Sequence, residues 1–373
     1  MNQEFYVKNI IRTAAFAGIA ALALAACGSA PSTSTPSGTT GSTSSAAAVN
    51  YKACMVSDAG GFHDKSFNQS GAEGLDKAKA DLGITEVKVE STASTDFTPN
   101  IDNLVSQNCN LIIGVGFNLA GAIQTAANAN PSIDFALVDS AFSDADFKPV
   151  TLKNGKPLLF NTQEASFLAG YVAAGMTKTG KVATFGGMQL PSVTIFMDGF
   201  SDGIDQYNKD NGTSVKLLGW NKAEQTGSFT GDFDNQANGQ NLAKGFIDQG
   251  ADIIMPVAGP VGLGAAAAAK AAGNVEIIGV DADWYNTAPE YKDIVLTSVI
   301  KEIGQSVYDT VKQGMEGKYT SEPYVGTLAN GGISIAPFHD FDSKVPAALK
   351  TKVDELKKSI IDGTLKVTSV SSN

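Results

Sequence analysis

The sequence is short of the residues on which most metal sites and many catalytic sites are built. Its 373 residues include two histidines, His63 and His339, and three cysteines. That is too few for a centre made of His and Cys ligands. Gly-Lys-Ser and Gly-Lys-Thr are absent, which removes a Walker A phosphate loop, and H-E-x-x-H does not occur. Basic charge is scarce too: 27 Lys plus Arg against 38 Asp plus Glu give a formal net charge of −11. Such a balance offers no electrostatic footprint for nucleic acid or anionic lipid headgroups. What the chain does have is a 43% hydrophobic content, enough to build a core. Its length suits two domains.

Residues 1–26 read as a secretory signal, with Lys8 and Arg12 ahead of a mostly apolar run of 13 residues, Ala14 to Ala26. The run is short for a membrane span and right for a signal core. It ends Leu24-Ala25-Ala26-Cys27-Gly28, which resembles a bacterial lipobox, where the cysteine is lipidated and becomes the new N-terminus. A short buried helix ending in cysteine is the alternative. Gly28 to Ala48 holds only Gly, Ser, Ala, Pro and Thr, so Cys27 and residues up to 48 are expected to form a flexible tether with a coil dimension of about 25 Å. The expected location is the extracytoplasmic face of the cell membrane, with the lipid as the sole membrane contact. With Cys27 so used, Cys54 and Cys109 remain as a pair. In an exported protein they are a disulfide candidate, two buried free thiols being the alternative.

After Val49, short apolar runs at 51–56, 86–90, 110–116, 133–138, 181–185, 214–219, 251–257 and 275–280 alternate with segments of helical periodicity. One example is Ile101, Leu104 and Val105, with Thr98 as N-cap and Pro99 as first helical residue. Alternating strands and helices imply mainly parallel sheets covered on both faces. Roughly nine strands suit two sheets of four to six, with a crossing point near Lys153 to Phe160. Ligands of open α/β sheets sit beyond the carboxyl ends of strands, so the segments just after each strand are the candidates. The first is Ser57-Asp58-Ala59-Gly60-Gly61-Phe62-His63-Asp64-Lys65-Ser66-Phe67-Asn68-Gln69, where Asp58 suits ligand contact while Asp64 or Ser66 suits helix capping. Others are Gly116-Phe117-Asn118, Asp139-Ser140, Gly186-Gly187, Gly227 to Asp232 with Phe229 in a turn, and Asp281-Ala282-Asp283-Trp284. Pro256 to Gly264 carries glycines in the order G-x-x-G-x-G, better explained by close backbone approach or helix packing than by phosphate binding. His63 beside Asp64 is the nearest thing to a base, and a lone loop histidine is more often solvent-exposed. No catalytic residue, metal or cofactor is expected.

These residues resemble the basic membrane protein family of lipoproteins, purine-nucleoside-binding components of ABC importers with the type I periplasmic-binding-protein fold. The likeness rests on Asp58 with Asp64-Lys65-Ser66-Phe67-Asn68-Gln69, Glu164 to Gly170, Gly186-Gly187 with Phe196-Met197-Asp198-Gly199-Phe200, and Gly231-Asp232-Phe233. It continues through Ala258-Gly259 with Gly262-Leu263-Gly264, Gly279-Val280-Asp281 and Thr297-Ser298-Val299-Ile300-Lys301, in order along the whole folded body. It implies two doubly wound, mainly parallel α/β lobes joined by a hinge: residues 49–160 with about 290–318, and 161–289 with about 319–373. It further implies that Phe67 and Phe229 sandwich a nucleobase, with Phe62 as an alternative to Phe67. Asp58, with Asn68 beside it, would accept N–H groups of the base edge. Asp281 and Lys301 would address ribose hydroxyls, and Gly259 would allow close backbone approach. The shortage of arginine around these motifs argues against nucleotides. The implied partners are an ABC permease and its ATPase, and the chain is expected to be monomeric. A receptor for a sugar or another small polar solute on the same fold is the runner-up, and a nucleoside-processing enzyme a more distant one.

The lipobox generates a direct test. Cys27→Ser is expected to release the protein from membranes without unfolding its body, read by fractionation and by the mass of the N-terminal peptide. Unchanged membrane retention together with an unchanged N-terminal mass rejects lipidation at Cys27.

Overall fold

The computed structural model describes residues 49–144, 146 and 148–372. The signal segment, Cys27 and the whole of the tether lie outside the described residues. Strands and helices alternate as the apolar runs dictate. The first lobe is built from β1 (Lys52–Ser57), α1 (Phe67–Leu82), β2 (Thr85–Val89), α2 (Phe97–Ser106), β3 (Leu111–Val115), α3 (Ala120–Ala129), β4 (Asp134–Val138) and β5 (Gly155–Phe160). The second continues with α4 (Thr162–Met176), β6 (Lys181–Gly186), α5 (Pro191–Asn211), β7 (Lys216–Leu218), β8 (Trp220–Asn221), β9 (Thr226–Gly227) and α6 (Gln236–Asp248). It then runs through β10 (Ile253–Val257), α7 (Val261–Ala272), β11 (Glu276–Asp281), α8 (Trp284–Thr287) and β12 (Val295–Lys301). The chain returns to the first lobe with α9 (Ile303–Met315) and β13 (Tyr324–Gly326), and ends in the second with β14 (Ile333–Ile335) and α10 (Ala347–Ile361).

Two six-stranded sheets result, in the orders β13-β5-β4-β3-β1-β2 and β14-β12-β11-β10-β6-β7. Within them every pairing is parallel except β12 with β14. Parallel strands with helices on both faces must be apolar on both sides, and β3, β5 and β10 are buried along their whole length. Each sheet reverses its winding direction once, between β1 and β3 in the first and between β6 and β10 in the second. These are the points where open α/β sheets leave a crevice for ligands.

The sequence expectation differs from the structure in two places. β12 belongs to the second sheet and β13 to the first, so the later crossings fall after Lys301 and after Gly326, not near 290 and 319. A strand such as Val295–Lys301, almost wholly buried, reads the same in either sheet, so pattern alone does not place it. At α2, Thr98 lies inside the helix and Pro99 is its third residue, where a missing N–H costs nothing. Asp96 instead secures the turn before it, its carboxylate accepting from the Thr92 N–H and hydroxyl and from the Ala93 N–H.

α9 packs back on α1, and the contact is close because two glycines meet there. A Cβ on Gly74 would lie 2.2 Å from the Gly304 carbonyl oxygen. Cys54 in β1 and Cys109 just before β3 are disulfide-bonded, with Cα atoms 6.0 Å apart across 55 residues of chain. The bridge ties neighbouring strands near their starts, at the far end of the sheet from the crevice. Replacing both cysteines by serine is expected to lower the unfolding free energy by about 2–4 kcal/mol, measured by urea titration. An unchanged midpoint and slope would show that the crosslink contributes nothing.

Candidate functional site

The carboxyl ends of the two sheets face a shared cavity, lined from the first lobe by the turns after β1, β3 and β4 and the start of α1, and from the second by α5 and the segments after β10, β11 and β12. The topology thus brings Asp58, Phe67, Asn68, Gly259, Asp281 and Lys301 to one place. These are all but one of the ligand-contact candidates.

Asp58 directly follows β1, and its N–H extends the sheet by donating to the Val115 carbonyl at 3.1 Å. Its carboxyl lies over Gly116, which follows β3: a Cβ there would sit 1.9 Å from Asp58 Oδ2, so only glycine fits. Burial pushes the Asp58 carboxyl up to about 8. Asp64 and Asp139 reinforce the shift, and the amides of Asn68 and Asn118 oppose it. At neutral pH the group is therefore mainly protonated, offering one donor and one acceptor instead of the paired acceptors of a carboxylate. Beside it, Asn68 donates to the Ala59 carbonyl at 2.8 Å, while its buried Oδ1 has no hydrogen-bond partner among the described residues. Both residues line the cavity.

At the other end Lys301, from the last residue of β12 and buried, forms ion pairs with Asp139 and, at 2.9 Å, with Asp281. Burial would lower the lysine, but the two carboxylates more than offset this and hold it above its usual range, so it stays charged. Asp139 follows β4 and Asp281 is the last residue of β11, one from each lobe, and both adopt left-handed backbone with φ of 63° and 68°. Aspartate tolerates that region better than most residues, and the sharp turn aims each carboxylate back across the strand end. The Lys301 ammonium also lies 4.8 Å from the Phe67 ring centre and 5.1 Å from that of Phe196, within cation–π range.

The capping question resolves on Asp64. Its carboxylate accepts from the N–H groups of Ser66, Asn68 and Gln69 at 2.8–3.0 Å, fixing the first turn of α1 and with it the position of Phe67. Ser66 occupies the N-cap position without capping; its hydroxyl instead reaches the second lobe, donating to the Val280 carbonyl at 2.9 Å. The exposed Lys65–Glu290 ion pair also spans the lobes.

The aromatic expectations divide. Phe67 lines the cavity. Phe62 is packed into the core of the first lobe and is not among the cavity walls. Phe229 is not among them either: its ring lies over Gly186 and meets Trp220 edge-on, centroids 6.1 Å apart. Four residues on in the same turn, Phe233 takes the wall position. Asp232 sets it there, accepting from the N–H groups of Asp234 and Asn235 and from the Asn238 side chain. Sequence reasoning missed Phe233 and Phe196 as cavity walls; Gly231-Asp232-Phe233 was visible, but not the direction of either ring. Asp139 was legible as a strand end and is now a partner of Lys301. Gly259, with φ of 51°, leaves open space in front of its backbone. Asp283 turns away to cap α8 and pair with His339, and His63 is exposed.

Residues 51–369 match the family described as ABC transporter substrate-binding protein PnrA-like. The chain is 32% identical to the ABC transporter nucleoside-binding protein BmpA of Lactococcus lactis subsp. cremoris, over 97% of this chain and 99% of that one. It is 30% identical to basic membrane protein A1 of Borrelia garinii subsp. bavariensis, over 83% and 86%. Among solved structures, a solute-binding protein of an ABC transporter system from Aeropyrum pernix K1 superposes with a TM-score of 0.75 at 25% identity, covering 85% of this chain and 92% of that one.

The raised Asp58 predicts a pH signature. The unfolded carboxyl loses its proton near 3.8 and the folded one near 8, so between those values the folded state holds a proton that the unfolded state has lost. Stability therefore falls as pH climbs through this window and levels off above it. Asp58→Asn lacks that cost, so its melting temperature relative to wild type should improve from about pH 5 to about pH 9. A difference that stays constant across the range would show that Asp58 ionises normally.

Proposed function

The chain belongs to the PnrA-like family of ABC transporter substrate-binding proteins, and we propose that within it this protein captures purine nucleosides outside the cytoplasm, held by lipid at Cys27, and delivers them as a monomer to an ABC permease and its ATPase. The observation that carries this reading is the polarity of the cavity. Aromatic rings stand on it from both lobes, Phe67 from the first and Phe233 from the second, with a donor–acceptor pair at one end and a carboxylate–lysine–carboxylate group at the other. A flat heteroaromatic ring joined to a polyhydroxylated sugar has the same layout. The name of the Lactococcus relative points the same way.

In this reading Phe67 and Phe233 stack on the base, with Phe233 replacing Phe229 in that role. Asp58 and Asn68 meet the base edge. The protonated Asp58 suits an edge where an amino N–H stands beside a bare ring nitrogen, and the ionised form suits an edge with two N–H groups. Asp281, Asp139 and Lys301 hold the ribose hydroxyls, since charged partners make the stronger hydrogen bonds. Gly259 brings backbone against the ligand. Closure joins contacts from both lobes, so ligand binding stabilises the closed arrangement.

Calorimetry on protein stripped of ligand tests this. Purine nucleosides should bind more tightly than free bases, ribose or nucleotides. Phe67→Ala and Phe233→Ala should each weaken binding by about 1–3 kcal/mol, roughly 5- to 150-fold, while Phe229→Ala should cost less than about threefold. Tight binding of ribose or another sugar with no response to any purine nucleoside overturns the reading and leaves the fold intact.

A further inference from the structure

A second cavity of about 330 Å³ adjoins the central one. Phe117, Asp139 and Ser192 line both, so the two spaces meet at the end of the site where Asp139 grips Lys301. Its other walls are uncharged and more apolar than polar, with Phe142 and Leu159 from the first lobe, Pro191 and Ile195 from the second, and the hydroxyls of four serine and threonine residues among them. Among the described residues that line it, Asp139 is the sole charged one, and its carboxylate is already committed to Lys301. The sequence contains no arginine beyond Arg12. A phosphate placed here would face a carboxylate, and the nearest ammonium is shared between two aspartates. An uncharged apolar group would instead exchange water for Phe, Leu, Pro and Ile side chains.

We propose that this cavity receives an uncharged substituent on the 5′ carbon of the nucleoside sugar, so that the protein takes up 5′-alkyl and 5′-thioether nucleosides as well as plain ones and rejects 5′-phosphates. The inference rests on the purine-nucleoside reading above. With the ring hydroxyls held by Asp281, Asp139 and Lys301, the 5′ carbon is the exocyclic sugar position left free to carry a substituent, and in this proposal it faces the boundary that Phe117 and Ser192 share between the two cavities. A short thioether chain matches the space, its apolar lining and its lack of free positive charge.

The test compares adenosine, 5′-deoxy-5′-methylthioadenosine and adenosine 5′-monophosphate by calorimetry on ligand-stripped wild-type protein and on Ala141→Trp. Ala141 is an exposed residue that lines the second cavity and not the central one, so an indole there is expected to narrow the second cavity while leaving the central walls unchanged. Wild type should bind the thioether within about threefold of adenosine or tighter, and the monophosphate at least about 100-fold more weakly. Ala141→Trp should weaken the thioether about tenfold while leaving adenosine within about twofold. Wild-type protein that binds adenosine but holds the thioether about 100-fold more weakly overturns the proposal and spares the nucleoside reading. Equal losses for both ligands in Ala141→Trp overturn it as well. If no purine nucleoside binds wild type at all, the reading itself fails and the inference falls with it.

Discussion

The buried Lys301 ammonium is the interaction on which the rest of the site depends. It sits on the second lobe, pairs with Asp281 of that lobe and with Asp139 of the first, and so carries charge across the cleft. A buried ion pair gains little net free energy, because desolvation cancels most of the Coulomb attraction, whereas removing one partner costs about 3–5 kcal/mol. These two facts suit a clamp. Were the lobes to part, Asp139 would regain water and Lys301 would keep Asp281 of its own lobe, so no charge would be left buried and unpaired. When they close, both carboxylates are aligned by their left-handed turns and the ammonium is satisfied from two sides. The pair thus fixes the geometry of the closed state without locking it.

Charge around this clamp is uneven. Asp58, Asp64, Asp139 and Asp281 line the cavity with Lys301 as the single cation among the described wall residues. Burial relieves the imbalance by keeping Asp58 protonated, while three backbone N–H groups absorb Asp64 into the start of α1. The net result is a pocket that offers hydrogen bonds freely and positive charge hardly at all, a poor environment for phosphate and a good one for hydroxyl and amide-like groups. The acidic composition of the chain, which excluded anionic partners at the level of the sequence, has its local counterpart here.

How much of this could be read from residues alone follows from what each signal encodes. Apolar runs located most strands because a parallel strand buried on both faces is continuous in hydrophobicity. The rule that ligands sit beyond strand carboxyl ends then picked out Asp58, Asp281 and Gly116. The pairing of Cys54 with Cys109 was open to arithmetic because export leaves few uses for a thiol pair. Illegible were properties that depend on which way a side chain points in an irregular turn. Phe229 and Phe233 stand in the same Gly-rich stretch, and Asp232 decides between them through hydrogen bonds that no periodicity records. The sheet membership of β12 and β13 was equally hidden, since a buried strand carries no mark of its neighbours. The protonation of Asp58 was missed because it is a property of surroundings assembled from four separate segments.

The two lobes are joined by three chain crossings, after Phe160, Lys301 and Gly326, and these run side by side. The Asn161 N–H donates to the Gly326 carbonyl at 2.8 Å, the Glu302 N–H to the Gly332 carbonyl at 2.9 Å, and the Leu328 N–H to Glu164 Oε2 at 3.0 Å. Three adjacent strands tied by hydrogen bonds resist sliding, because shear would break them together, but they bend at modest cost where each leaves its sheet. Motion is therefore channelled into opening and closing about that seam. Lys301 is the residue immediately before one of the crossings. Phe233 stands on the turn before α6. The cation thus stands beside a chain crossing and Phe233 on a turn before α6, so the second lobe supplies the cavity's charge and its second ring from separate segments.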